Sequence, residues 1–136
     1  MAKLIYRVIS PCRALGYGFP RQSFETALDG RVDAIVCDAG SVYVEPFFLG
    51  AGASYFSPQE VCADLERIVA GAHRTGCPVI LGSAGSGGGD RNVAATARIL
   101  AEVFAHLGIE DTTVATISSE VPSGRLIANL DRRAHV

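Results

Sequence analysis

The sequence contains no tryptophan, a single methionine and no long apolar run. A membrane-spanning helix needs roughly eighteen consecutive apolar residues, and no segment approaches that length. The first segment, Lys3 to Ser10, lacks the long apolar core and small-residue cleavage site of a signal peptide. We therefore expect a cytoplasmic protein that does not enter a membrane.

An excess of charge of either sign is also missing. The formal net charge is −2, no basic run is present, and the aromatic residues do not alternate with lysine or arginine. These features argue against a nucleic-acid partner. The mean hydropathy of +0.27 is high for a small chain. It suggests that a companion subunit or a second copy of the chain covers some apolar surface.

The sequence has little that could hold a metal. Its four cysteines form no C-x-x-C pair, which excludes a zinc knuckle and a thioredoxin-type site. The three histidines are far from the candidate site, so we expect no Ser-His-Asp triad. Asp38 with Glu45 or Glu120 would give at most a loose oxygen-ligand site for Mg²⁺, and we predict no cofactor.

Alternation of strands and helices is the main positive signal. Apolar, β-branched runs predict strands at 4–9, 32–37, 77–81 and 112–117, each followed by a helical pattern, the last at 122–132. This order predicts one α/β domain over residues 1–136, with a doubly wound, mainly parallel sheet of about four strands and flanking helices, Rossmann-like or flavodoxin-like. The chain is then complete in itself, the amino-terminal part of a longer protein, or a split subunit.

The helix after Ser57 has the clearest local signals. Ser57, Pro58 and Glu60 form a capping-box pattern, and Gly76 supplies a left-handed end. Its predicted apolar face consists of Val61, Leu65, Ile68, Val69 and Ala72. By contrast, 41–56 shows no helical period and is predicted to be a long connection, serving either as a lid or as a satellite core.

Polar residues concentrate where the predicted strands end, which is where open parallel sheets bind ligands. The candidates are Ser10, Cys12, Arg13 and Tyr17; Asp38 and Ser41; Ser83, Gly85, Ser86, Gly87, Gly88, Gly89 and Asp90; and Ser118, Ser119 and Glu120. We expect these groups to lie at one edge of the sheet.

The glycine-rich loop 83–90 is the strongest of these features. Its backbone amides and the following helix, with Asp90 as predicted N-cap, suit a phosphate or carboxylate. It lacks the ending of a P-loop and the register of a dinucleotide fingerprint, so ATP and NAD are not indicated. The alternative is that the glycines supply only a tight turn and close helix packing.

Three side chains are candidates for a direct role in chemistry or binding. Asp38 is a candidate base, or a cap on its own loop. Cys12 is a candidate nucleophile, although packing is the simpler role for a cysteine with no nearby histidine. Arg13 is predicted to bind a substrate carboxylate, or to pair with Asp38 or Glu120.

Four short motifs occur in a fixed order: Leu15-Gly16-Tyr17-Gly18-Phe19-Pro20, Asp38-Ala39-Gly40-Ser41, Leu49-Gly50-Ala51-Gly52 and Gly82-Ser83-Ala84-Gly85. In this combination the chain resembles the amino-terminal part of the acyclic terpene utilisation AtuA family. Members of that family are several times longer, often occur with a small companion protein, and belong to the catabolism of carboxylic acids or their CoA thioesters.

The resemblance implies a domain or subunit of a catabolic enzyme with lyase or hydratase-like chemistry. Asp38, Ser41 and the 83–89 loop would belong to a ligand site for a small carboxylate or acyl-CoA. The chain departs from the family pattern at Val42-Tyr43-Val44-Glu45, and it has Ala53 where a lysine often stands. These departures favour the alternative, a non-catalytic binding or assembly module that needs a partner chain.

Overall fold

The computed structural model describes residues 5–40 and 45–129. Within these ranges the chain forms three strands and five helices. In chain order they are β1 (Val8–Ile9), α1 (Arg21–Leu28), β2 (Ala34–Gly40), α2 (Glu45–Ala51), α3 (Pro58–Thr75), β3 (Val79–Ser86), α4 (Asp90–Leu107) and α5 (Ser123–Ile127). In this part of the chain, no helix is both long and apolar enough to cross a membrane.

The three strands form one parallel sheet in the order β1-β2-β3. Val8 pairs with Ala34, and Ile35 pairs with Val79. Asp38 pairs with Gly82, beyond which the register shifts before Gly40. The α/β class is therefore confirmed. Because the strands are parallel, their carboxyl ends meet at one edge, as ligand binding there requires.

One face of the sheet is buried beneath helices α1, α3 and α4. Side chains at alternating strand positions point into this core, as the two-residue repeat of a strand requires. The inward-facing strand residues are Ile9, Ile35, Cys37, Ala39, Val79 and Leu81, and they pack with Phe24 and Leu28 of α1, Leu65 and Ile68 of α3, and Val103 of α4. Helix α3 contacts both neighbouring helices, so it holds this layer together.

The opposite face of the sheet is open at β1 and β3. Val8 is 54% exposed and Ile80 is 55% exposed, while Ala34 and Val36 of the central strand are half-buried. A doubly wound sheet carries helices on both faces. The described residues cover one face fully, so the second helical layer of that prediction is not confirmed.

Helix α3 confirms the local signals of its sequence. The Ser57 hydroxyl accepts a hydrogen bond from the Glu60 amide (3.3 Å), and the Glu60 carboxylate accepts one from the Ser57 amide (2.9 Å). This second bond lowers the pKa of Glu60. Gly76 ends the helix with φ of 68°, a conformation that suits glycine.

The predicted fourth strand is wrong. Residues 112–117 have no strand structure and are exposed, and they border a cleft of about 930 Å³ along β3. Val114 and Ile117 are the only large apolar side chains in this stretch. The β-branched composition of this stretch is therefore not enough for a strand, because β propensity depends on packing against neighbouring strands.

Other boundaries differ as well. The prediction of a long connection missed α2, whose early Pro46 suits a first helical turn; residues 41–44 lie outside the described residues. Strand β3 continues to Ser86 instead of stopping at Gly82. The last helix spans only Ser123–Ile127, and 130–132 lie outside the described residues. Strand β1 is confined to Val8–Ile9.

We predict that Leu65→Ala lowers the free energy of unfolding by about 2–5 kcal/mol, the range for a leucine truncated in a core. Leu65 is fully buried at the contact between α3 and the sheet. The matched control is Leu126→Ala, because Leu126 is 55% exposed and its loss should change stability little. Urea denaturation measures both variants, and equal effects would contradict this placement of the core.

Candidate functional site

The loop after β1 lies against the carboxyl end of β2. The Leu15 amide donates a hydrogen bond to the Asp38 carbonyl (3.1 Å), which fastens this first loop to the end of β2. The Asp38–Gly82 pairing brings the start of the glycine-rich region alongside. The first loop, Asp38 and Gly82 are therefore neighbours at this edge, while Ser41 lies outside the described residues.

Asp38 is exposed at this edge. Its Oδ1 accepts a hydrogen bond from the Gly40 amide (3.0 Å). The side chain therefore caps its own loop, one of the two roles that the sequence left open. Such a bond engages one carboxylate oxygen and is compatible with a second role for the group.

Arg13 is exposed in the first loop. Within residues 5–40 and 45–129, the ion pairs are Arg31–Asp33, Arg74–Glu25 and a longer His106–Glu66 contact. Arg13 therefore pairs with neither Asp38 nor Glu120, so the prediction of a structural salt bridge is not confirmed.

Cys12 lies in the core instead of facing the edge. It is 8% exposed, and its Sγ lies 2.9 Å from the Sγ of Cys37, which is fully buried. The hydrogen bond from Cys37 lowers the pKa of Cys12, and the same bond, with burial, raises the pKa of Cys37. Cys12 is therefore a packing residue of the core, and the thiol of Cys37 is its close neighbour.

Asp64 is an anchor of the site that the sequence analysis missed. It is 2% exposed, and its Oδ2 accepts hydrogen bonds from the amides of Gly16 (2.8 Å) and Gly18 (3.0 Å). Both glycines have positive φ, of 104° and 75°. A sequence signal existed, because Asp64 falls on the apolar face of α3 with Val61 and Leu65, where an unpaired charge is costly.

The glycine-rich region is tied to the segment before α3. The buried Ser86 hydroxyl accepts a hydrogen bond from the Tyr55 amide (3.0 Å) and lies 3.1 Å from the Ser54 hydroxyl. The side-chain amide of the buried Asn92 donates hydrogen bonds to the carbonyls of Gly85 (2.6 Å) and Ala53 (2.7 Å). These bonds hold the loop in a defined shape, with Ser86 itself at φ of 73°.

Close packing explains several of the glycines. A Cβ at Gly85 would lie 2.8 Å from the Asn92 carbonyl oxygen, and one at Gly89 would lie 2.8 Å from Leu49 of α2. A Cβ at Gly87 would also approach Leu49, at 3.1 Å. At these three positions, close packing therefore gives a reason for glycine that needs no ligand. Helix α2 lies over the loop.

A carboxylate of the chain itself sits on the first turn of α4. The Asp90 amide donates a hydrogen bond to Glu120 Oε1 (2.8 Å). The Ser118 hydroxyl donates to Asp90 Oδ1 (2.7 Å), and the Ser119 hydroxyl donates to the Gly88 carbonyl (3.1 Å). Gly89 is the N-cap residue, so the prediction of Asp90 as the cap is wrong.

A small cleft opens beside this contact. Its volume is about 370 Å³, and its lining combines an apolar wall with backbone and polar groups: Leu49, Gly87, Gly89, Ser119, Glu120 and Val121. Ser83, at the start of the glycine-rich region within β3, is exposed and has φ of 49°. Among the described residues, no three His, Cys, Asp or Glu side chains form a cluster that could hold a metal.

Comparison with known proteins finds no matching family model, no matching curated protein and no matching solved structure. The site is therefore interpreted from its own geometry.

We predict that Asp64→Ala lowers the free energy of unfolding by about 1–3 kcal/mol, because two partly buried amides lose their acceptor. Proteolytic cleavage within 13–18 should also become faster, since these amides hold that loop. Chemical denaturation and limited proteolysis measure the two effects. Asp111→Ala is the control, because Asp111 is exposed; wild-type behaviour of Asp64→Ala would refute the anchoring role.

Proposed function

We propose that this chain is a domain or subunit of a catabolic enzyme that binds a small carboxylate, free or as its CoA thioester, at the glycine-rich loop. The observation that carries the proposal is the Glu120 carboxylate on the first turn of α4, 2.8 Å from the Asp90 amide. A carboxylate fits this position in shape and in charge.

The position suits an anion for two physical reasons. The first amides of a helix have no partner within the helix, and the aligned peptide dipoles place partial positive charge there. Helix α4 is 18 residues long, so it presents the full effect of a helix terminus. A ligand carboxylate would take the place of the Glu120 side chain.

Displacing Glu120 is energetically accessible. Residues 118–121 are exposed, and three hydrogen bonds hold them to the glycine-rich loop and to α4. Each such bond contributes about 0.5–1.5 kcal/mol net. A ligand that restores the bond to Asp90 and adds apolar contact with Leu49 can compete with this segment.

The proposed chemistry follows from the resemblance to the AtuA family. Lyase and hydratase-like reactions begin by removing a proton next to a carboxylate or thioester carbonyl, and Asp38 is the candidate base. It stands at the same sheet edge as Ser83, through its pairing with Gly82. The acyl group of a ligand anchored at α4 would extend towards this edge.

We predict that Glu120→Ala tightens binding of a short carboxylate, such as butyrate, by about tenfold, because the internal competitor worth roughly 1.4 kcal/mol is removed. Titration calorimetry measures the affinity of butyrate and butyryl-CoA for the wild type and the variant. Glu110→Ala is the matched control, since Glu110 is exposed and lies before the segment. Failure of both proteins to bind either compound would refute carboxylate binding.

A second function is favoured by the open face of the sheet. Val8 and Ile80 are more than half exposed beside half-buried Ala34 and Val36. Parallel sheets are normally covered on both faces, and these four side chains are apolar. We propose, as the alternative, an assembly module in which a second copy of the chain covers this face, since a two-fold interface joins the same patch of both copies.

We predict that Ile80→Glu shifts the chain towards the monomer by placing a charge in this interface. Sedimentation velocity across a concentration series measures the association. Leu126→Glu, also at an exposed leucine, is the control and should leave association unchanged. A wild-type chain that stays monomeric throughout would exclude self-assembly through this face and leave a companion subunit as its cover.

A further inference from the structure

A cysteine of the loop after β1 and a cysteine of β2 meet inside the core. The Sγ atoms of Cys12 and Cys37 are 2.9 Å apart, although the residues are 25 positions apart in sequence. A disulfide bond is about 2.05 Å long. The two sulfurs therefore need to approach by only about 0.9 Å to form one.

We propose that Cys12 and Cys37 form a redox-modification site that hydrogen peroxide converts to an intramolecular disulfide. In the first step the Cys12 thiolate attacks the peroxide. An S–O bond forms and the O–O bond breaks, which leaves Cys12 as a sulfenic acid and releases hydroxide, which takes up a proton to become water.

In the second step the Cys37 sulfur attacks the Cys12 sulfur. The S–S bond forms, the S–O bond breaks, and the departing hydroxide leaves as water with the proton of Cys37. In sum, two thiols are oxidised to a disulfide and one hydrogen peroxide is reduced to two waters. The close sulfur contact favours this resolving step over further oxidation of Cys12.

The geometry distinguishes the two sulfurs. Cys12 lies in the loop after β1 and keeps 8% of its surface accessible, whereas Cys37 lies inside β2 with none. The hydrogen bond between them lowers the pKa of Cys12 and raises that of Cys37. Cys12 therefore reacts first with a small oxidant, and Cys37 supplies the resolving thiol.

The other two cysteines have no such neighbour. Cys62 faces Glu66 at 3.9 Å, and its pKa is raised by burial and by nearby carboxylates. Cys77 accepts a hydrogen bond from the Thr75 hydroxyl (3.2 Å). Both are half-buried, so they are at least as accessible as Cys12. A selective reaction of the Cys12–Cys37 pair would therefore reflect its geometry and not its exposure.

The new bond would join two parts of the candidate site. Cys12 directly precedes Arg13, and Cys37 directly precedes Asp38, whose carbonyl lies 3.4 Å from the Cys37 sulfur. Oxidation would thus fasten the first loop covalently to β2 at the sheet edge.

The test uses the whole folded chain with hydrogen peroxide, followed by alkylation of the remaining thiols and mass spectrometry. We expect loss of two of the four free thiols, with a peptide cross-link between Cys12 and Cys37 that a reducing agent reverses. Cys62→Ser and Cys77→Ser are the controls and should retain the cross-link.

Single variants separate the two steps. In Cys37→Ser, a sulfenic-acid probe such as dimedone should label Cys12, and in Cys12→Ser the same probe should leave Cys37 unlabelled. If either variant fails to fold, the cross-link mapped in the wild-type protein still tests the proposal. The proposal is overturned if the cross-link involves Cys62 or Cys77, if it joins two chains, or if all four thiols disappear at equal rates.

Discussion

Strand β2 is the constraint on which the rest of the molecule depends. It bonds to β1 on one side and to β3 on the other, and its Ile35 and Cys37 side chains are fully buried beneath the helices. Pairing in parallel on both sides forces β1, β2 and β3 to end at the same edge. This pairing brings Asp38 beside the start of the glycine-rich region at the candidate site.

The loops at that edge are held with unequal strength. Buried polar side chains fix the first loop through Asp64 and the glycine-rich region through Asn92, and breaking such bonds leaves buried groups without partners. The 118–121 segment is held by exposed hydrogen bonds, which water can replace. We therefore expect the Glu120 segment to be the part of this edge that a ligand displaces most easily.

Sequence reasoning succeeded where local signals agreed and failed where structure depends on distant partners. The α3 helix has a capping box, an apolar face and a glycine end within one stretch, so it was predictable in full. The failure at 112–117 shows that a β-branched run does not by itself make a strand, because these residues border β3, an edge strand of the described sheet, without pairing with it. The meeting of Cys12 and Cys37 was hidden as well, because only the pairing of β1 with β2 brings them together.

The two proposed functions meet at Asp38. Side chains alternate along β2, so Asp38 belongs to the same outward-facing set as Ala34 and Val36. A subunit that covered the open face would therefore also approach Asp38 and remove water from it. The covering subunit would then border the proposed active site, so assembly and ligand binding would share one edge of the sheet.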